Sequence, residues 1–224
     1  GKISPDGQIL KVDWIRGFNA PKGMGIYKNT LYVADINEVD IIDIRKGEIK
    51  KRLPVPHAEG LNDITVDPKG VVYVSDSKTK RVYKIKGNDV SVHLESLQSP
   101  NGLLWEGDNL YVLDRGALYR VEYDRKMTKL ADGMEGGTDG LVAVGPNQFI
   151  VSGWAGIIYY VDGNTGQKQV LLDTRGRAYS LRIADLPGGR GDGVPLTTMV
   201  EFQDGAKLAA AIADDPEANY LFAG

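Results

Sequence analysis

A short apolar motif ending in a carboxylate recurs along the chain and constrains its fold more than any other feature. It reads Leu31-Tyr32-Val33-Ala34-Asp35, Val72-Tyr73-Val74-Ser75-Asp76 and Leu110-Tyr111-Val112-Leu113-Asp114. A fourth copy, Phe149-Ile150-Val151-Ser152-Gly153, has glycine in place of the acid. The steps are 41, 38 and 39 residues. Self-similarity at a nearly fixed period marks an array of equivalent supersecondary units. Each copy follows another apolar run closed by turn residues, as in Asn62-Asp63-Ile64-Thr65-Val66-Asp67-Pro68-Lys69-Gly70. Proline presets the first turn position, and glycine or asparagine tolerates positive φ, so the two runs form a hairpin. A third run (39–44, 81–85, 117–121, 157–161) and a fourth (48–53, 90–94, 127–130, 167–172) complete each unit. Four strands per repeat of about forty residues predict a β-propeller with one blade per repeat. A β-sandwich or barrel also shows short strands at regular spacing. Neither requires one landmark to return at this period.

Within a unit the second run is almost continuously apolar, and the outer two alternate with period two. The inner strands are therefore expected to be covered on both faces and the outer ones half-exposed. The chain ends extend the pattern. Residues 219–224 have the form of a second strand, 207–214 of a first and 7–13 of a third. Pairing of the two termini would complete one more blade, giving a single all-β domain over residues 1–224 with five four-stranded blades and no open sheet edge between its ends. Two further runs, 177–183 and 194–202, leave open a six-bladed arrangement with one blade incomplete.

Composition narrows the chemistry. The 224 residues include 28 glycines, as a turn-rich protein requires, and no cysteine. Disulfides, thiolate nucleophiles and Cys-ligated zinc are excluded. The two histidines, His57 and His93, have no carboxylate cluster at ligand spacing, and surface or packing roles are expected for both. The formal charge of −3 offers no overall attraction to nucleic acid or an anionic membrane, and no apolar run approaches the roughly 20 residues of a membrane-spanning helix. The first residues, Gly1-Lys2-Ile3-Ser4, carry no apolar signal region and no initiator Met, and read as a processed or engineered end. No feature indicates a compartment.

Residues 1–173 resemble the gluconolactonase/regucalcin-like and NHL-type propellers through the 62–70 run, Pro100-Asn101-Gly102-Leu103 and the Tyr-Val-x-Asp strands. Residues 174–224 are similar to a blade of the C-terminal β-pinwheel found in the A-type subunits of DNA gyrase and topoisomerase IV. That likeness is carried by Gly176-Arg177-Ala178-Tyr179-Ser180-Leu181, Asp185-Leu186-Pro187, the run from Gly189 through Thr198, and Tyr220-Leu221-Phe222-Ala223. The large catalytic region that precedes the pinwheel in that family has no counterpart, so Tyr179 and Tyr220 read as strand residues. A lactonase-like propeller joined to one pinwheel blade near residues 172–175 reads as an engineered chimera, a test of fold recombination with no selected biochemical function.

The lactonase resemblance implies a divalent cation at the mouth of the central channel, held by oxygen ligands. By motif position Asn101 and Asp139 match metal ligands and Asn62 a substrate contact, but the family's first-blade glutamate falls at Lys22. An ammonium repels a cation, so the expectation is no catalytic residue, no bound metal and no cofactor. Asn62, Asn101 and Asp139 are instead expected to bond backbone amides at the blade entrances. Asp35, Asp76 and Asp114, one per blade, are expected to cap their own turns. Trp14, Trp105 and Trp154 are expected to fill packing between blades. The pinwheel resemblance implies DNA binding, but from residue 174 onward five cations (Arg175, Arg177, Arg182, Arg190, Lys207) meet seven acids, for a net charge of −2. Phosphate contacts drive such binding through counterion release, and this segment offers few. No partner is implied beyond a second copy joined through strand edges; monomer and edge-mediated homo-oligomer both remain open.

Overall fold

The computed structural model describes residues 1–135 and 137–172, and every strand pair within them for which a register is given is antiparallel. A hairpin of β1 (Lys2–Ile3) and β2 (Ile9–Lys11) comes first. Four four-stranded sheets follow in chain order. The first holds β3 (Pro21–Tyr27), β4 (Thr30–Asp35), β5 (Glu38–Asp43) and β6 (Glu48–Pro54). The second holds β7 (Leu61–Val66), β8 (Val72–Asp76), β9 (Arg81–Lys86) and β10 (Asp89–Leu94). The third holds β11 (Pro100–Glu106), β12 (Asn109–Asp114), β13 (Ala117–Val121) and β14 (Met127–Ala131). The fourth holds β15 (Thr138–Gly145), β16 (Gln148–Gly153), β17 (Ile158–Asp162) and β18 (Lys168–Leu172). These are four propeller blades, each strand following its sequence neighbour, as the repeat predicts. The fifth blade expected from the termini, the six-bladed alternative, and the runs at 177–183, 194–202, 207–214 and 219–224 involve residues outside those described.

One expectation for the N-terminus needs correction. The 7–13 run, read as a third strand, shortens to Ile9–Lys11 and closes a hairpin on Lys2–Ile3. Its turn is built by Ser4, whose Oγ accepts from the Gln8 amide at 3.0 Å, with Gly7 at positive φ.

The described residues fall into two compact units. One comprises Gly1–Arg115 with Tyr119–Thr128, and the other Gly116–Leu118 with the residues from Lys129 onward. In the first unit, successive blades pack through alternate faces. Ala34, Val39 and Leu53 of the first blade pack with Leu61, Ile64, Val72, Val74, Tyr83 and Ile85 of the second. Val71, Tyr73, Val82 and Leu94 pack with Leu103, Leu110, Val112 and Val121 of the third. The period-two alternation along β8 therefore sends Val72 and Val74 to one neighbour and Tyr73 to the other, with Val71 just before the strand on Tyr73's side. Close approach is permitted at Gly23, where a Cβ would sit 2.5 Å from the Asp63 Cα. The remaining face of the first blade, Leu31, Val33 and Ile42, is covered by Trp14, Ile15 and Phe18 of the N-terminal arm.

In the second unit, Phe149, Val151, Tyr159 and Val161 are buried. The Tyr159 hydroxyl accepts from the Glu135 amide at 3.0 Å. On β15, Val142 and Val144 are more than half exposed among the described residues.

Candidate functional site

The register of each blade's first hairpin fixes which residues are equivalent. Pro21 pairs with Asp35, Leu61 with Asp76, Pro100 with Asp114 and Thr138 with Gly153. The next residues, Lys22, Asn62, Asn101 and Asp139, therefore occupy one structural position in four blades. In all four the register slips before the fourth residue of the strand. Such irregularities re-aim side chains and recur beside functional sites.

Asn62 departs from the expectation. Asn62 does not bond a backbone amide; its Nδ2 donates to Ser77 Oγ at 3.0 Å, and Ser77 Oγ donates to the Pro100 carbonyl at 2.6 Å. Asn62 is thus tied, through one hydroxyl, to the residue preceding Asn101. Asn101 is buried, Lys22 is exposed, and Asp139 lies half-buried in the second unit, at the start of β15. Lys22 presents an ammonium at this position, which cannot ligate a cation.

The neighbouring residue carries more of the inter-blade bonding, and sequence reasoning passed over it. Asp63 Oδ2 accepts from the Leu103 amide at 2.8 Å, and Thr65 Oγ1 from the Trp105 amide at 2.8 Å. These bonds satisfy donors on the first strand of the third blade from side chains of the second. The signal was available as polar residues at alternate positions of β7, facing an otherwise apolar strand.

The recurrent aspartates act over a longer reach than expected. Asp35 accepts from the amides of Asn19 at 2.7 Å and Ala20 at 2.6 Å. Asp114 accepts from those of Gln98 at 3.0 Å and Ser99 at 2.6 Å. Asp76 accepts from Glu59 at 2.8 Å and also caps its own turn through Lys78 and Thr79, both at 2.9 Å. The turn-capping role thus holds for Asp76. All three carboxylates fasten the loop leading into their own blade to the end of its second strand. Burial opposes ionisation of Asp76, but amide and hydroxyl donors from Thr79, Glu59 and Gly60 outweigh it and hold the carboxyl below its ordinary value.

Asp35, Glu38 and Asp40 place carboxylate oxygens within 4.8 Å of one another. Arg52 already supplies the countercharge. Its Nη1 lies 3.1 Å and 3.2 Å from the two Asp40 oxygens and 3.2 Å from Glu38 Oε1, and its Nη2 donates to the Gly17 carbonyl. Burial pushes Asp40 up to about 6 against the pull of Arg52. This is a satisfied ionic network joining β5, β6 and the N-terminal arm.

His57 is exposed at positive φ, and His93 packs edge-on against Tyr73 with ring centroids 5.0 Å apart, both in the roles expected. Burial, then Lys84 and Arg125, pulls His93 down to about 4. Trp105 stacks on Tyr73 at 5.4 Å between the second and third blades, and Trp14 covers the first. Trp154, also expected in inter-blade packing, is 76% exposed. The apolar side chain alone gave no sign of that, because exposure depends on what neighbours it.

The fold defines the chain as an all-β propeller. No protein-family profile matches it. Over 47 residues it is 53% identical to the A-type subunit of DNA topoisomerase 4 from Neisseria gonorrhoeae, a match that covers 21% of this chain and 6% of that protein. Among solved structures it is similar to virginiamycin B lyase from Staphylococcus aureus, with a TM-score of 0.58, 11% identity, and coverage of 68% of this chain and 55% of that one. The computationally designed Ika8 protein is also similar, with a TM-score of 0.51, 13% identity, and coverage of 66% of this chain and 48% of that one. The chain thus carries a topoisomerase-like segment beside a propeller whose likeness to known structures lies in the fold.

Proposed function

We propose that this protein is an engineered hybrid in which a pinwheel-like segment, residues 174–224, completes a truncated lactonase-like propeller as a fifth blade, and that it has no selected biochemical activity. The observation that carries the reading is the contrast between the two likenesses: 53% identity over 47 residues to a topoisomerase subunit, and 11–13% identity to propellers matched over two thirds of the chain. On this reading residues 1–224 form one domain, the chain is a monomer or an edge-mediated homo-oligomer, and the channel holds no stoichiometric cation.

The alternative is residual metal-dependent hydrolysis of a sugar lactone. Asn101 and Asp139 favour it, and Lys22 at the equivalent position of the first blade opposes it. The lyase among the similar structures keeps an enzymatic role in view, since a propeller hosts many activities. Calorimetric titration of the full chain with calcium and with zinc separates the readings. The expected result is no saturable one-to-one heat. A one-to-one site lost in Asp139→Ala would overturn the scaffold reading. The pinwheel likeness raises DNA binding as a third reading, opposed by the net charge of −2 from residue 174 onward. Association no tighter than nonspecific binders, roughly 10⁻⁴ to 10⁻⁶ M at physiological salt, is expected. Submicromolar binding weakened by Arg175→Ala with Arg177→Ala would contradict it.

A further inference from the structure

The first strands of the first three blades run side by side in one direction. Gly23 of β3 lies against Asp63 of β7 and Gly25 against Ile64 and Val66, while Asp63 and Thr65 accept from the Leu103 and Trp105 amides of β11. The turns that follow these strands, at Lys28, at Lys69 and at 106–108, therefore share one end of the first unit, and the turns after β5, β9 and β13 lie at that end too. Charge there is divided. In the first two blades the carboxylates turn inward: buried Asp43 accepts from the Arg45 and Lys46 amides at 3.0 and 3.1 Å, and buried Asp67 from those of Lys69 and Val71, both at 2.8 Å. Lys28, Arg45 and Lys69 stay exposed, and none of them forms an ion pair among the described residues. In the third blade the sign reverses. Glu106 and Asp108 are exposed and equally without an ion pair, on a turn fixed by Trp105, whose Nε1 donates to the Gly107 carbonyl at 2.9 Å. The outer turns of the second and third blades carry both signs, Lys86 opposite Asp89 and the pair Glu122 and Asp124 beside Arg125 and Lys126, so they do not set the polarity. Tyr123 stands fully exposed at the tip of the last of them.

We infer that this end of the first three blades is a self-association surface whose occupant is a second copy of the chain. A face with cations on one side and acids on the other is complementary to itself after a half turn. With the two-fold axis along the second blade, Lys28 and Arg45 of each copy meet Glu106 and Asp108 of the other, and every attractive contact is made twice. A nucleic acid or an anionic bilayer would meet the two acids together with the cations, which is why a second copy fits better. Tyr123, beside the acidic turn, adds a large amphipathic ring of the kind that anchors interfaces. Lys69 lies near the axis, faces its own counterpart and opposes association. Exposed ion pairs are individually weak and screened by salt, so the dimer is weak and salt-sensitive. It is joined through turns rather than strand edges, and the scaffold reading stands or falls without it.

Sedimentation equilibrium of the full chain is expected to show a reversible dimer that weakens as the screening length falls from about 10 Å at 0.1 M salt to about 3 Å at 1 M. Lys28→Glu with Arg45→Glu is expected to weaken it at least about tenfold, and Glu106→Lys with Asp108→Lys to do the same, since each pair gives the whole end one sign. Mixing the two variants is expected to restore association as a heterodimer, because both sets of contacts become attractive again; variants that had failed to fold could not do so. Lys69→Gln is expected to tighten the dimer about twofold. A full chain that stays monomeric at low salt would overturn the inference. So would a dimer that neither pair of reversals weakens, which would move the contact to the strand edges, or two weakened variants that stay apart when mixed. Low-salt binding to duplex DNA or to phosphatidylserine vesicles in place of dimerisation would assign the cations to a polyanion and overturn it as well.

Discussion

The innermost strands β3 and β7 share a register and a hairpin, yet they lie in opposite environments. Ile64 of β7 sits in a core built from two blades, and Met24 of β3 has no blade before it among the described residues. A propeller blade cannot bury both faces alone. Its stability is a sum of its own ladder and the interfaces it shares with its neighbours. On the first blade it is the N-terminal arm, through Trp14, Ile15 and Phe18, that covers Leu31, Val33 and Ile42.

Paired truncations measure this contrast most strongly. Ile64→Ala is expected to cost about 2–5 kcal/mol in urea unfolding of the full chain, the range for emptying a packed aliphatic site. Met24→Ala is expected to approach that range if the face is covered, and to stay within about 0.5 kcal/mol if it faces water. Equal, negligible costs at both positions would remove the contrast altogether.

A smaller effect is expected from the aspartates that fasten each lead-in loop. Asp76→Ala removes a fully buried acceptor serving the amides of Glu59, Lys78 and Thr79, and should cost about 2–3 kcal/mol. The fourth blade has Gly153 at this position and does without the device. Placing the same loss in the first blade, Asp35→Ala, should also free Asn19 and Ala20 and loosen the arm, visible as faster amide exchange across residues 14–20.

The effects expected on pH dependence have opposite signs. His93 titrates near 4 in the folded chain, below its ordinary value of 6.5. The unfolded state therefore binds the extra proton between those values, and stability is lost as pH falls from 6.5 to 4. Asp40, raised to about 6, holds its proton in the folded state between 3.8 and 6, so its contribution is present below 3.8 and lost as pH rises through 6. Replacing His93 by Gln should flatten the acid-side loss, and Asp40→Asn should remove the opposing trend. Unchanged unfolding curves across pH 4–6.5 for both variants would contradict these assignments.

Much of this architecture was legible in the sequence because a propeller repeats local hairpins, and hairpins are encoded by turn residues and period-two patterning within forty residues. The Tyr-Val-x-Asp strands and their hairpin partners follow from that local code, while the matching of Lys22, Asn62, Asn101 and Asp139 came from the family resemblance. Side-chain roles were less legible because they are set by residues far apart in the chain. Asp63 reaching Leu103, Ser77 bridging Asn62 to Pro100, and Arg52 answering Glu38 and Asp40 depend on contacts between residues 12–40 positions apart. Trp154 shows the same limit, since its exposure depends on what neighbours it.

Ring closure through both termini is tested most directly by two separate deletions, one ending the chain after Pro216 and one starting it at Asp13, each compared with the full chain by thermal unfolding and size-exclusion chromatography. If residues 220–223 and β2 belong to one blade, each deletion removes a strand ladder and uncovers apolar surface worth roughly 1.5–3 kcal/mol per large side chain, against a total stability of about 5–15 kcal/mol. Both shortened chains are then expected to melt well below the full chain or to run as oligomers. Two shortened chains that stay monomeric with unchanged melting temperatures would show that the termini do not meet, and would contradict the five-bladed closure.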